Sequence, residues 1–183
     1  MATNWNQTPT AIMTDLLSAK NTKFPPVMGS FSLKNVGVNQ QSNSASKNTQ
    51  VTVYPTDTTK YSGEVIATYQ RVDFTAMLAK KLGASAPTVS WGQTTGQTLV
   101  TSSTTQSQLV SIINTLVGLQ LSTADFSTLT ATINGGSAVV NITFANNNML
   151  FLPSVSAVLT LDQTTPTSSI ITQPVLDGLD LPA

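Results

Sequence analysis

Apolar and polar residues alternate most regularly between Tyr61 and Phe74, in the run YSGEVIATYQRVDF. Ser62-Gly63 supplies a turn. Val65, Ala67 and Tyr69 then fall on one side and Ile66, Thr68 and Gln70 on the other, with Val72 restoring an apolar position after Arg71. A period of two in β-branched and aromatic residues predicts a strand. Apolar side chains on both sides predict a central strand, one face buried and the other partly covered. Asp73 follows as the N-cap of a helix.

Upstream, residues 1–9 form a polar arm carrying Trp5, and Thr8-Pro9 offers an N-cap followed by proline at the first helical position. Ile12, Met13, Leu16 and Leu17 make one apolar helix face ending near Asn21, and Phe24-Pro25-Pro26 stops it. Phe31 and Leu33, then Val36 and Val38, alternate with a one-residue slip near Asn35, which predicts a bulged or edge strand. A polar loop, Asn39 to Asn48, leads to a short strand at Val51, Val53 and Tyr54-Pro55.

Downstream, Phe74, Met77, Leu78 and Leu82 share a helix face closed by Gly83, with Lys80 and Lys81 at the negative end of its dipole. Pro87 to Trp91 reads as a strand and Gln97 to Thr101 as a weaker one. Thr105-x-x-Gln108 is a capping box, and Leu109, Val110, Ile113, Leu116 and Val117 keep a helical period up to Gly118. Ser122 to Asp125 predicts a single helical turn. Leu129 to Ile133 runs into Asn134-Gly135, a type I′ hairpin signal. Ser137 to Phe144 returns with Val140, Ile142 and Phe144 on one face. Asn146 to Asn148 turns again, and Val155, Ala157, Leu159 and Leu161 alternate to the end of the domain. The order helix, hook, strands occurs at 9–72 and again at 105–161, with no run of identity to raise it above chance.

From Gln163 a Thr/Ser/Pro stretch leads into Ile170-Ile171, Val175-Leu176 and Leu179-Asp180-Leu181. This tail is too apolar for a solvated linker and too broken by proline and glycine for a helix. It predicts an extended arm that docks on a partner. Ile170, Ile171, Val175, Leu176, Leu179, Leu181 and, at the other end, Trp5 are the candidate partner-binding residues. The expected organisation is an arm at 1–9, one domain at 10–162 and an arm at 163–183.

Composition removes several function classes. Only 9% of the 183 residues are charged, eight acids and eight bases that cancel, against about 25% in an average domain. Ser, Thr, Asn and Gln make up 75 of the 183 residues and carry the polarity. Clustered Lys and Arg, which phosphate binding requires, are missing, so nucleic acid is not an expected partner. No cysteine and no histidine occur, which removes thiolate chemistry and the commonest general base and metal ligand. The N-terminus lacks the basic and apolar regions of a signal peptide, and no apolar run reaches the ~20 residues of a membrane span. The expectation is a protein made and used without export signals.

Candidate chemistry is sparse. Asp15 and Asp162 sit beside element ends, Asp73 and Asp125 read as helix starts, and Asp177 and Asp180 lie in the tail. Glu64 and Arg71, seven apart, fall on opposite faces of the strand and read as rim or packing charges. The run Gly92 to Gly96 lacks the Lys of a phosphate loop, and the acids never take calcium-loop spacing. Tyr54, Tyr61, Tyr69, Trp5 and Trp91 could line a sugar-binding face, although aromatics on strands are more often core. No catalytic, cofactor or metal residue is expected, and the chain is not expected to be an enzyme.

Three phrases, LLSAKNTKFPP, YSGEVIATYQRVDF and SQLVSIINTLVGLQLSTADF, resemble the virion structural proteins that giant tailed bacteriophages encode in many copies. In that family a helix ending in Asn leads to a Phe hook, here Asn21 and Phe24. A Tyr-small-Gly turn, here Tyr61 to Gly63, opens a strand ending in Tyr69, Arg71 and Asp73. A second helix with Asn114 is followed by Gly118, Leu119, Leu121, Thr123, Asp125 and Phe126. The likeness covers residues 10–161 in outline, and Thr22-Lys23 stands where the family usually has glycine. The resemblance implies a non-enzymatic component of a virion assembled in the host cytoplasm, bound to other virion proteins and to copies of itself.

The fold expected from all this is α+β: a mainly antiparallel sheet or sandwich with two or three short helices packed on it and extended terminal arms. The expected role is structural, in the tail–baseplate or fibre assembly of the particle. A minor or decorating capsid protein is the alternative within that class, and a carbohydrate-binding receptor module the alternative outside it.

Overall fold

A computed structural model describes residues 4–21, 30–41, 46–92 and 97–164 of the chain. Helix α1 (Pro9–Lys20) begins on Thr8, whose side chain accepts from the Ala11 N–H. Ile12 and Met13 of its apolar face are buried, whereas Leu16 is exposed. Strands β1 (Phe31–Val38), β2 (Thr49–Pro55) and β3 (Val65–Tyr69) then form an antiparallel meander. The slip near Asn35 is a bulge: the register shifts between Lys34 and Gly37, and Asn35 takes a φ of 55°.

The order of this sheet, β1-β2-β3, corrects the central placement expected for the Tyr61–Phe74 run. Its strand is an edge, and β2 is the centre. Val65 and Ile66 are 67% and 46% exposed. Alternation reports the period of a strand and not the number of its neighbours. The ladder ends at Tyr69 because the Asn48 side chain brackets the next backbone, accepting from the Arg71 N–H at 2.8 Å and donating to the Arg71 carbonyl at 3.4 Å.

Val72 then crosses to the second half of the molecule. Its N–H donates to the Leu150 carbonyl at 2.8 Å, its carbonyl accepts from the Leu152 N–H at 3.1 Å, and the two segments form a parallel bridge at Val72 and Phe151. Asp73 caps helix α2 (Phe74–Leu82) by accepting from the Thr75 N–H, and Gly83 ends it in the left-handed region at φ 83°.

The second sheet has the order β4-β7-β6-β5. Strand β4 (Thr88–Ser90) is parallel to β7 (Ala157–Asp162), and β5 (Phe126–Asn134), β6 (Ser137–Phe144) and β7 form an antiparallel meander. Helix α3 (Gln106–Val117) carries the expected capping box on Thr105 and Gln108 and packs on β5 and α2. Thus α1 and α3 each precede a three-stranded antiparallel meander.

Two local expectations are corrected. Residues 97–101 form no strand; the Gln163 side-chain amide substitutes for one, accepting from the Val100 N–H and donating to the Val100 carbonyl at 3.1 Å. The β5–β6 turn is Gly135-Gly136 and not Asn134-Gly135, because Asn134 still pairs with Ser137. Positive φ, 60°, falls on Gly135, as in the type II′ hairpins that place glycine first.

One buried cluster joins Ile12 and Val51 of the first half to α2, α3 and the inward faces of β5, β6 and β7. At its centre Phe74 meets Phe144 and Phe151 edge-on, with centroids 5.0 Å apart in both pairs. Each such pair adds about 0.5–1.5 kcal/mol beyond area burial. The architecture is α+β, with short helices packed on mostly antiparallel sheets.

Candidate interaction surface

Among the described residues four strands stand at sheet edges, and two of them carry the usual protections against pairing with another chain. Strand β1 is bulged at Asn35, and its Lys34 is ion-paired with Glu64 and lies over the Tyr54 ring. Strand β4 has only three residues. Strands β3 and β5 contain no charged residue, no proline and, between Thr128 and Asn134, no bulge.

Which backbone groups these open edges offer follows from ladder alternation. The Thr160 N–H donates to Pro87 and the Asp162 carbonyl accepts from Trp91, so the even residues of β7 face β4 and Leu159 and Leu161 face β6. Register then assigns Ala138 and Val140 of β6 to β7, and Ser137, Val139 and Asn141 to β5. On β5, Thr130, Thr132 and Asn134 therefore face β6, and the N–H and C=O of Leu129, Ala131 and Ile133 point outward. In the first sheet the Thr56 N–H donates to Ser30, so the same count leaves only Ile66 and Thr68 of β3 pointing outward. The β5 edge is the longer.

The spacing of charges along the chain marks this region. Between Lys81 and Asp162 the only charged residue is Asp125. Strand β5 and helix α3 contain none. The signal was present in the spacing of charges, but it gains meaning only when β5 is placed at an edge.

Two apolar grooves flank α1. One, of about 520 Å³, is lined by Leu17, Phe31, Val53, Tyr61, Val65 and Ile66. The other, of about 390 Å³, includes Trp5, Ile12, Leu16 and Met149 together with Lys20 and Lys47. The candidate residue Trp5 stacks on Phe151 of its own chain, at 6.4 Å between centroids and 24° between planes. The other candidates, Ile170, Ile171, Val175, Leu176, Leu179 and Leu181, lie outside the described residues, as does Phe24.

The charges named in the sequence serve the fold. Arg71 is 4% exposed; its Nε–H donates to the Thr49 hydroxyl at 2.9 Å and its Nη1 to the Asn146 carbonyl at 3.0 Å, tying the two halves together. Burial lowers the pKa of its guanidinium, with a weaker opposing pull from Tyr69. Burial likewise pushes the Tyr69 phenol up to about 12, opposed by Arg71, and the hydroxyl makes no hydrogen bond of good geometry. The Thr59 hydroxyl holds the Asp57 carboxyl below its ordinary range, and the Thr164 hydroxyl does the same for Asp162. Asp125 accepts from the Ser122 N–H at 2.8 Å and from the Asn148 side chain at 2.9 Å.

The aromatics do not share a face. Trp91 is buried and donates to the Thr98 carbonyl, Tyr61 packs on Phe31, and Tyr54 lies under Lys34. Among the described residues no helix is long and apolar enough to cross a membrane, and no cluster of three or more His, Cys, Asp or Glu could hold a metal ion.

A family model described as "Family of unknown function (DUF7941)" matches residues 3–183, and the chain belongs to that family. No curated protein and no solved structure matches it.

Proposed function

We propose that the chain is a non-enzymatic structural component of a tailed-phage virion, in the tail, baseplate or fibre assembly, and that it binds neighbouring subunits through its sheet edges and terminal arms. The observation that carries this reading is the uncharged, unprotected β5 edge, with outward backbone groups at Leu129, Ala131 and Ile133. Strand addition to such an edge gives affinity through main-chain bonds. The resemblance of LLSAKNTKFPP, YSGEVIATYQRVDF and SQLVSIINTLVGLQLSTADF to giant-phage virion proteins supplies the setting. The structural duties of Arg71, Glu64, Asp57, Asp73 and Asp125 agree with it.

Imaging the assembled particle by cryo-electron microscopy tests the assignment: density for this fold in the tail, baseplate or fibre is expected, and its absence from purified particles would overturn the reading. The arms are tested by deleting residues 165–183. Gln163 and Thr164 must stay, because they hold Val100 and Asp162. The shortened chain is expected to fold and to enter particles poorly; normal incorporation would remove the tail from the contact surface. Saturable binding of the isolated chain to a glycan array would favour the receptor-module alternative instead.

A further inference from the structure

We infer that a second copy of this chain is the partner of the β5 edge, pairing antiparallel with Ala131 on the two-fold axis. The inference rests on reading that edge as a contact surface, and it concerns the purified chain alone.

Self-complementarity carries the choice of partner. A new strand bonds only to the outward residues Leu129, Ala131 and Ile133. Two copies of β5 satisfy all of these at once in one register: Ala131 opposite the partner's Ala131, and Leu129 opposite the partner's Ile133. Shifting by one residue pair leaves one outward residue of each copy unmatched within this set or carries the pairing towards the bulge at Ser127, where the β5–β6 register already slips.

The side chains fit the same register. Leu129 and Ala131 lie on the inward side, and Ile133, 40% exposed, gains apolar cover from the partner's Leu129. On the outward side Thr130 falls opposite the partner's Thr132, a pairing that hydroxyls favour. No like charges meet, because β5 and the adjoining α3 carry none. The two-fold axis runs along the sheet normal, so the four strands of each copy join into one sheet with both α3 helices on the same side.

Three measurements decide it. Light scattering on the full chain across a hundredfold concentration range is expected to show a mass rising from 19.2 kDa to twice that value; a monomer throughout overturns the pairing. Ala131→Pro removes the central outward N–H without touching the β6 ladder, and is expected to give a monomer with unchanged circular dichroism; a folded variant that still dimerises overturns it. Should that variant unfold, Ala131→Cys serves in its place. In a chain without cysteine, this residue meets its symmetry mate at a Cα separation of about 5.5 Å, inside disulfide range. Oxidation is expected to yield a covalent dimer, while Thr128→Cys, opposite the partner's Asn134, yields none. Equal cross-linking of the two, or none at Ala131→Cys, sinks the register. A monomer here would leave the particle imaging to decide the virion role separately.

Discussion

Asn148→Ala is expected to destabilise the fold more than any exposed substitution in the chain. Asn148 is 3% exposed and sits in the turn between β6 and β7. Its Oδ1 accepts from the Leu150 and Phe151 N–H groups, both at 2.8 Å, and its Nδ2 donates to Asp125 Oδ1 at 2.9 Å. Leu150 and Phe151 are themselves buried, so water cannot replace the lost acceptor. A buried orphaned donor costs about 1–3 kcal/mol, and there are two. The lost bond to Asp125 costs less, because its carboxylate keeps Ser122 and is half-exposed. The two donors together cost about 2–6 kcal/mol, with a midpoint of about 4. For a chain of this length 1 kcal/mol moves the melting temperature by about 2–4 °C, so calorimetry should record a fall of about 10 °C. Urea unfolding should show a lower midpoint at unchanged slope. A loss below about 1 kcal/mol would refute the reasoning, since it would mean that the turn reorganises to satisfy both amides. Asn148→Asp separates the two contributions: it keeps the acceptor but sets two carboxyls together, which cannot both ionise without repulsion. That variant is expected to be less stable than the parent protein near neutrality, by less than Asn148→Ala is.

Tyr69→Phe is expected to leave stability near pH 7 unchanged or slightly raised, because the hydroxyl it removes is buried without a hydrogen bond. With the folded phenol near 12 and the ordinary value at 10.0, the folded state holds its proton more tightly, so the contribution is intact below pH 10 and lost between about 10 and 12. The variant should lack that alkaline slope, and an equal fall in stability between about pH 10 and 12 in both proteins would refute the assignment. Gly136→Ala should cost about 1 kcal/mol or more, since a Cβ there would collide with Thr164 Cγ2. Thr164→Ala should recover most of the loss; a double mutant no better than the single one would place the strain in the turn itself.

Helix ends were legible because their signals are local. Thr8, Asp73 and Thr105 cap as their positions predict, and Gly83 and Gly118 close their helices in the left-handed region. The bulge at Asn35 was legible for the same reason, as a slip in period. The edge position of β3 was not, because strand order depends on residues far away in sequence: Val72 is drawn to Leu150 and Leu152, and β2 closes against β1. The β5–β6 turn shows a subtler limit. Asn134-Gly135 and Gly135-Gly136 both keep Leu129 and Ile142 inward, so alternation cannot choose between them. The choice falls to the far end of the hairpin, where Phe126 pairs with Phe144 and their rings stack at 5.0 Å, and to Gly136, whose carbonyl accepts from the Gln163 N–H. The polar roles of Asn48, Asn114 and Asn148 escaped for a further reason. An Asn in a loop (Asn48 and Asn148) or on the last turn of a helix (Asn114) reads as solvated, yet each of these bonds to backbone groups of a distant or looping segment.

The asymmetry between the two sheets bears on what the chain is built to do. The first sheet spends a bulge and a Lys–Glu pair on guarding β1. The second leaves β5, of nine residues, without charge. A soluble monomer under pressure to stay apart would place a lysine on such an edge, at a cost of one codon and almost no stability. The outward faces of Thr128, Thr130 and Thr132 could each accept one, since all three are exposed and none packs in the core. That none carries a charge, in a stretch where Asp125 is the single ionised side chain from residue 82 to residue 161, is what a covered edge requires. On the pairing proposed above, the low charge belongs to the surface that would meet the second copy, where the threonines would pair without the repulsion that like charges bring.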